Sequence, residues 1–415
     1  MTNKRKIIND PVYGFLTIDD DIIFDVISHR WFQRQRHIKQ LGFTYLVYPG
    51  AVHSRFSHML GALNLMKRAI DVLRSKGVEI SHEEALGVQL AILLHDIGHG
   101  PFSHTSERVL CNVHHERLTQ LFMEGINKDF DGRLQTAIEI FEDRYPRHFL
   151  HQLVSSQLDM DRLDYLGRDS FFTGVSEGIV GTERIINMLN VADDRLVVDE
   201  KGIYSVEKFI ISRRLMYWQV YLHKTVIAAD NLFYSILKRA RELMAQGTAL
   251  AGYEPLLFFL RDRVTETDFE NDPAVLERFA AIDDGDIMST VKVWAECSDS
   301  VLSTLCRHLL WRQLPKVLVS PDEYAPSIVS EHIAQVSQAY NLDLDLASYF
   351  VGTGRLVNRS YSFDDSEIKV LYKNGRCCSI SEASDQLDRS FLEKTVTKYY
   401  IYYPKLPGSN AQVLA

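Results

Sequence analysis

The sequence has few features of secreted, membrane-spanning or nucleic-acid-coating proteins. Its five cysteines, an odd number, lack zinc-knuckle spacing, so we expect free thiols in a reducing compartment. No apolar run approaches the roughly 20 residues that span a bilayer, and the stretch MTNKRKIINDPV lacks the apolar segment of a signal peptide. The formal net charge of -9 gives no basic surplus for nucleic acid. We therefore expect a cytoplasmic protein with no membrane and no nucleic-acid partner.

Helical periodicity is what the sequence has in abundance. Leu63, Met66, Ile70 and Leu73 recur at helical spacing and form one apolar stripe, which Gly77 ends. Strand signals are few, and the hydrophobic content of 46% with 24% charged residues is typical of a folded soluble protein. The pattern predicts a mainly α protein with small β-hairpin appendages and a mixed α/β C-terminal region.

Local start, stop and turn signals place the other elements. Ser81 and Glu84 have the spacing of a capping box, so a helix begins there and carries His95 and Asp96 at its last turn. Hairpins are predicted at RLVVDEKGIYS, with a Lys-Gly turn, and at IKVLYKNGRCCSI, around Asn-Gly. Further helices are predicted at HERLTQLFMEG, RLQTAIEIFED, HFLHQLVSSQLDMDRLDYLGRD and EKFIISRRLMYWQVYLHKTVIAADNLFYSILKRARELMAQG.

Composition shifts suggest three segments along the chain. Residues 1–247 are expected to form the catalytic body and residues 248–320 a helical extension. Residues 321–415 carry an aromatic strand, YYIYYPK, and no motif tied to chemistry, so we assign them to packing and assembly.

The segment AILLHDIGHGPFSH points to chemistry, because it ends an apolar helix on His95 and Asp96. Adjacent residues on a helix point about 100° apart, so a metal held by both must lie off the helix end and take further ligands from other helices. His58 and Asp161 are the candidates, and two imidazoles with two carboxylates suit a divalent ion. The alternative is a hydrogen-bonded helix cap. Against it, seven of the 15 histidines cluster around two predicted helices: His53, His58, His95, His99, His104, His114 and His115.

Several motifs in register resemble the HD-domain phosphohydrolases, and within them the deoxynucleoside triphosphate (dNTP) triphosphohydrolase branch, which includes dGTPase-like enzymes. The matching stretches are FQRQRHIKQLGFTYLVYPGAVHSRFSHMLGAL, LLHDIGHGPFSH, HHE, LDMDRLDYLGRD and YLHK, and they cover roughly residues 10–247. The resemblance implies an HD-domain helical bundle. It also implies a divalent metal, with Mn, Fe, Ni, Co, Zn and Mg all open.

The resemblance assigns roles to individual residues. His58, His95, Asp96 and Asp161 match the metal ligands, and Asp96 thereby also belongs to the catalytic set. The other expected catalytic residues are the proposed acid or base, the carboxylate that orients it and a further histidine: His115, Glu107 and His104. The expected contacts with the phosphates, the deoxyribose and the base are Gln40, Leu41, Arg55, His99, Arg162, Tyr165, Asp169, Arg213, Tyr217 and Tyr221.

The same comparison suggests an activator site. Gln33, Arg36, Arg312 and Lys316 match positions that contact a nucleotide activator between subunits, so a homo-oligomer, dimer or tetramer, is expected. Ser28 stands where a guanine-reading Asp is expected.

Departures from the family pattern also touch the substrate set. Tyr217 replaces a His, and Arg162 replaces a Lys, which keeps the charge but changes the geometry.

The expected reaction is metal-dependent hydrolysis of a dNTP to deoxynucleoside and triphosphate. One alternative is an HD-type nucleotidase or phosphodiesterase acting on monophosphates or cyclic nucleotides, which needs the same metal but a shorter phosphate cleft. Another is a nucleotide-binding regulatory module that keeps the site without turnover. The basic groups beyond the metal, Arg55 and Arg162, favour a polyphosphate substrate.

Overall fold

Helices dominate the computed structural model, which describes residues 6–359, 361, 367–387 and 389–406, without the side chains at 103, 104, 108, 359 and 391. The helices of the N-terminal half are Asp21–Ser28 (α1), Arg30–Arg34 (α2), Arg55–Ser75 (α3), His82–Leu94 (α4), Ser103–Leu110 (α5), His115–Asp129 (α6), Gln135–Phe141 (α7), His148–Val154 (α8), Met160–Thr173 (α9), Thr182–Met188 (α10), Ile203–Met216 (α11) and Lys224–Ala245 (α12). Those that follow are Glu254–Arg261 (α13), Glu266–Asn271 (α14), Pro273–Ala280 (α15), Asp284–Trp294 (α16), Ser300–Leu310 (α17), Pro326–Tyr340 (α18), Leu344–Ala347 (α19), Ile380–Ala383 (α20) and Arg389–Glu393 (α21).

The strands form small sheets around this body. They are Lys6–Asp10 (β1), Gly14–Ile18 (β2), Leu189–Ala192 (β3), Arg195–Asp199 (β4), Lys316–Ser320 (β5), Gly352–Arg359 (β6), Lys369–Leu371 (β7), Cys377–Ser379 (β8) and Thr395–Tyr403 (β9). β1 and β2 make an antiparallel hairpin, the second sheet has the order β3-β4-β7-β8, and the third has the order β5-β9-β6. The mainly α fold with a mixed α/β C-terminal region is therefore confirmed.

Three helices meet at the centre, since α3 packs against both α4 and α9. Each begins at a side-chain cap, which sets where its first turn points. Ser54 accepts a hydrogen bond at the start of α3, and Asp159 does so at the start of α9. Ser81 and Glu84 form the predicted capping box at the start of α4. Polar side chains lie in the first turns of α3 and α9 and directly after the last turn of α4.

One hydrophobic cluster runs through the described chain, from Leu16 in β2 through Leu90 in α4 to Tyr402 in β9. The division into segments 1–247, 248–320 and 321–415 stays a prediction. Among the described residues, no helix is both long enough and apolar enough to cross a membrane.

The predicted hairpin with a Lys-Gly turn is wrong. The turn lies earlier, at Asp193 and Asp194, which both adopt positive φ between β3 and β4 and so match the strand twist. Lys201 and Gly202 instead belong to a short helical turn that leads into α11. The hairpin around Asn374 and Gly375 is confirmed, because β7 pairs with β8.

Two predicted continuous helices are interrupted. The first ends at Val154 and resumes at Met160, because the Asp159 carboxylate accepts hydrogen bonds from the backbone N–H groups of Ser156 and Arg162. The second passes through a π-helical turn at Tyr217–Tyr221 before α12 begins.

Candidate metal and phosphate site

The ends of α3, α4 and α9 bring the predicted metal ligands together. His58 lies in the first turn of α3, His95 directly follows α4 and Asp161 lies in the first turn of α9. Their ligand atoms lie within 4.8 Å of one another. The Asp161 Oδ1 atom is 3.1 Å from His58 Nε2 and 3.3 Å from His95 Nε2. Asp96 lies at the edge of this group, 3.6 Å from His95 Nε2 and 3.8 Å from His58 Nε2.

The histidine tautomers indicate what the group can hold. His95 Nδ1 is 2.6 Å from the Ile92 carbonyl, which can only accept, so this nitrogen carries the proton. His58 Nδ1 lies 2.7 Å from a carboxylate oxygen of Asp164 and carries a proton for the same reason. In the neutral rings, both Nε2 lone pairs then face each other at 3.3 Å beside the Asp161 carboxylate. Such converging donors fit a divalent cation.

The electrostatics of the two rings agree with a cation-binding site. Burial alone would lower the pKa of His58, but contacts with Asp161 and Asp164 raise it to about 10. The pKa of His95 is also raised, because the Asp96 and Asp161 carboxylates outweigh the effect of burial. The negative charge that raises both pKa values would also attract a divalent cation to the two Nε2 atoms.

Arg55, the first residue of α3, pairs with Asp96 at the edge of the site, with 2.5 Å between Nη1 and Oδ2. The Arg55 side chain is buried. Burial would raise the pKa of Asp96, but Arg55 and the neighbouring histidines keep it well below its usual range. The predicted phosphate-binding arginine therefore lies directly beside a predicted metal ligand.

A second group joins His99, Glu107 and His115 on the other side of Asp96. His99 Nδ1 is 3.2 Å from Glu107, His115 Nδ1 is 3.5 Å from the same carboxylate, and the two rings stack at 4.0 Å. Burial, reinforced by the Arg55 cation, lowers the pKa of His99 to about 3, which keeps the ring neutral at neutral pH. The side chain of His104 lies outside the described residues.

The opposite wall of the site is built around Asp169. Its Oδ2 atom accepts a hydrogen bond of 2.6 Å from the Tyr221 hydroxyl, and its Oδ1 atom lies 2.8 Å from His53 Nε2. Tyr221 packs edge-on against Tyr165, which in turn lies near His58. The wall is therefore continuous with the candidate metal ligands.

The remaining predicted substrate residues line the same region in different ways. Arg162 pairs with Asp159 at 3.0 Å, and Arg213 donates to Gln157 at 3.2 Å. Gln40 donates its backbone N–H to the carbonyl of His53, which links it to Asp169. Leu41 and Tyr217 pack partly buried, with the Tyr217 ring 5.1 Å from Tyr221.

The predicted activator residues lie in two other places. Arg36 donates to Gln33 at 2.8 Å, and its guanidinium lies 3.5 Å from the Phe56 ring centre. Arg312 donates to the Leu46 carbonyl at 2.8 Å. Together with Lys316, Arg312 lines a cavity of about 300 Å³.

The residues that support the candidate metal ligands through hydrogen bonds were not predicted from the sequence. Asp164 and Arg168 follow Asp161 by three and seven residues, so they share a face of α9 with it. This spacing could have indicated that they lie near the metal ligands. No pattern signalled Arg34 and Gln35, whose side chains donate to the carbonyls of His99 and Ile97 around the His-Asp pair.

The comparisons with known proteins fit this geometry. A family profile described as the HD domain matches residues 55–168, and one described as the HD associated region matches residues 180–252. The Bacillus subtilis protein YwfO is 34% identical over 97% of this chain and 93% of its own length. The chain belongs to the HD-domain phosphohydrolase superfamily. The residues matched by the HD profile contain all four candidate metal ligands.

Other relatives include a solved phosphohydrolase and two SAMHD1 proteins. The crystal structure of a phosphohydrolase from Bacteroides thetaiotaomicron has a TM-score of 0.94 and 50% identity, covering 97% of this chain and all of that one. The human deoxynucleoside triphosphate triphosphohydrolase SAMHD1 is 28% identical over 57% of this chain. The Dictyostelium discoideum homologue is 31% identical over 53% of this chain. The chain spans 45% of the human protein and 46% of the Dictyostelium one.

Proposed function

We propose that this HD-domain hydrolase converts dNTPs to deoxynucleoside and triphosphate with the help of a divalent metal ion. The observation that carries this proposal is the convergence of His58, His95 and Asp161 beside two arginines and the hydrogen-bonded Asp-Tyr pair. A metal site alone would serve any phosphoester, whereas the added groups suit a polyphosphate joined to a sugar. The printed names of the SAMHD1 relatives support the same substrate class.

His58, His95, Asp96 and Asp161 would hold the ion. When bound, it would supply Lewis-acid chemistry, drawing charge from a phosphoryl oxygen and making water a stronger acid. The net charge of the four side chains, with neutral imidazoles and two carboxylates, balances one divalent cation.

The two arginines would bind the phosphate chain. Each guanidinium has five N–H donors, more than one carboxylate partner can accept, so Arg55 and Arg162 can hold Asp96 and Asp159 while contacting phosphate oxygens. Their positions at the starts of α3 and α9 flank the candidate ligands on two sides. Neutral His99 adds a hydrogen-bonding group without placing a second positive charge beside Arg55.

His115 would protonate the 5′-oxygen that leaves as water adds to the α-phosphorus. Glu107 lies beside His115 Nδ1 and would orient the ring and stabilise its protonated form. The side chain of His115 is 18% exposed, so it can reach a substrate. One phosphorus–oxygen bond forms and one breaks, giving deoxynucleoside and intact triphosphate.

The Asp169 wall would bind the sugar. Tyr221 and Leu41 would fill the space that a ribose 2′-hydroxyl needs, while Gln40 and Asp169 would hold the 3′-hydroxyl. The Tyr221–Asp169 hydrogen bond fixes the phenol ring in place, and a fixed ring excludes an added hydroxyl better than a mobile one.

Regulation by a nucleotide and assembly into a homo-oligomer are part of the same proposal. Arg312, Lys316, Lys224 and Lys405 line one cavity whose positive charge suits phosphate groups. Gln33 and Arg36 would complete the activator site from another subunit.

Product analysis tests the proposed reaction. The metal-loaded protein is incubated with each dNTP, alone and in pairs, and the products are resolved by ion-exchange chromatography. Asp161→Asn removes a candidate ligand, and Asp71→Asn, an exposed carboxylate on α3, is the matched control. We expect triphosphate from the wild type and the control only. Cleavage of monophosphates or cyclic nucleotides with intact dNTPs would favour the nucleotidase or phosphodiesterase, and binding without turnover the regulatory module.

A further inference from the structure

A buried chain of charged side chains connects the N-terminal hairpin to His58. Asp10, at the end of β1, lies 2.7 Å from Arg168 Nη1. Arg168 also donates to Asp164, from Nε to Oδ2 at 2.9 Å and from Nη2 to Oδ1 at 3.0 Å. Asp164 Oδ2 lies 2.7 Å from His58 Nδ1. The four side chains are between 0% and 3% exposed.

Burying this series of charged side chains costs desolvation free energy, so stability alone does not explain it. A buried ion pair often adds little stability compared with apolar residues of similar size, because desolvation offsets the attraction. These charged side chains join residues 158 positions apart in the sequence and end on a candidate metal ligand, His58. Residues that hold the second nitrogen of a metal-binding histidine fix its ring and increase its basicity.

We propose that Asp10 is a positioning residue for metal binding, acting on His58 through Arg168 and Asp164. Two carboxylates facing one guanidinium leave a net negative charge, which strengthens the hydrogen bond to His58 Nδ1 and makes its Nε2 a better donor to a metal. If Asp10 loses its charge, Arg168 is neutralised by Asp164 alone, and less negative charge faces His58. The N-terminal hairpin thereby becomes part of the metal site. The proposal rests on the candidate metal site and not on the identity of the substrate.

Asp10→Asn is the sharpest perturbation. Asparagine keeps the Oδ1 acceptor for the backbone N–H groups of Val12 and Tyr13, at 2.9 and 3.0 Å, so the hairpin turn is retained. It replaces the oxygen that faces Arg168 with an NH₂ group that cannot accept. The matched control is Asp19→Asn, because Asp19 joins the hairpin to Lys67 of α3 on the surface, away from His58.

The measurement is a titration of the chelator-treated full chain with Co²⁺, followed by visible absorption. We expect Asp10→Asn to weaken Co²⁺ binding about 10-fold and Asp164→Asn up to about 100-fold, the range for residues behind metal ligands. The Co²⁺ absorption bands should shift in both variants, and the Asp19→Asn control should match the wild type.

A double-mutant cycle separates positioning from general destabilisation. If Asp10 acts through Asp164, Asp10→Asn should cause no further loss of Co²⁺ affinity in the Asp164→Asn background. The proposal would be overturned if Asp10→Asn bound Co²⁺ as tightly as the wild type. It would also be overturned if Asp10→Asn lost as much Co²⁺ affinity in the Asp164→Asn background as in the wild type, or if Asp19→Asn lost as much as Asp10→Asn. If Asp10→Asn does not fold, the Co²⁺ affinity of Asp164→Asn is the test. Wild-type affinity in Asp164→Asn would show that the buried charged side chains do not support metal binding by His58. Absence of Co²⁺ binding by the wild type would refute the metal site itself, and products from dNTPs would still be measured independently.

Discussion

Gly61 offers a direct test of the buried pair behind the metal site. It lies in α3, where a Cβ atom would be 2.0 Å from Asp164 Oδ1 and 2.1 Å from Arg168 Nη2. Both side chains are fully buried and are held by further contacts, so neither can move aside cheaply. Alanine at this position must therefore separate the pair or displace α3 from α9.

The expected cost of Gly61→Ala follows from two opposing effects. Breaking a buried ion pair costs about 3–5 kcal/mol, and replacing a helical glycine by alanine returns about 1 kcal/mol. The variant should lose about 2–4 kcal/mol of unfolding free energy. Gly167→Ala is the matched control, because its Cβ in α9 would meet no atom within 4 Å, so it should gain about 0.5–1 kcal/mol.

Urea denaturation of the metal-free proteins, followed by circular dichroism, gives both differences. The metal-free state isolates packing from ligand binding. If Gly61→Ala were as stable as the wild type, or gained stability like Gly167→Ala, the tight packing of α3 on the Asp164–Arg168 pair would be refuted.

Other predictions follow from single contacts. Tyr221→Phe removes the 2.6 Å hydrogen bond to Asp169 and should lower kcat/KM for a dNTP about 10- to 100-fold. An unchanged kcat/KM in steady-state kinetics would contradict the proposed sugar-binding role of the Asp169 wall. Burial would raise the pKa of Glu84, but hydrogen bonds from Ser81 lower it. Its stabilising effect is therefore present above the unfolded pKa of about 4.3 and lost as the pH falls through the lower folded value. The stability deficit of Glu84→Gln should then shrink in acid, as measured by denaturation at several pH values. Chelation should lower the melting temperature of the wild type but not of His95→Ala, since only the state that binds metal is stabilised.

Local signals account for the elements that were predicted correctly. The capping box at Ser81 and Glu84 and the Asn-Gly turn at Asn374 each involve residues close in sequence, so pattern and structure agree. The interruption before Met160 was missed because the apolar period continues across it, while the Asp159 side chain bonds the backbone and stops the helix.

The candidate metal ligands were predictable because their residue types are uncommon in such a cluster and their spacing matches a family pattern. Their support was not, because it depends on tertiary contacts. Asp10 and Arg168 meet only after β1 packs against α9, and no periodicity encodes that contact. Arg34 and Gln35 likewise read as ordinary helix residues until their bonds to the loop after α4 are seen.

Hydrolysis of a dNTP in H₂¹⁸O by the metal-loaded protein, with mass spectrometry of both products, tests the proposed reaction most directly. We expect one ¹⁸O atom in the triphosphate and none in the deoxynucleoside, because water adds to the α-phosphorus. Intact dNTP, label in the deoxynucleoside, or release of monophosphate with pyrophosphate would contradict it.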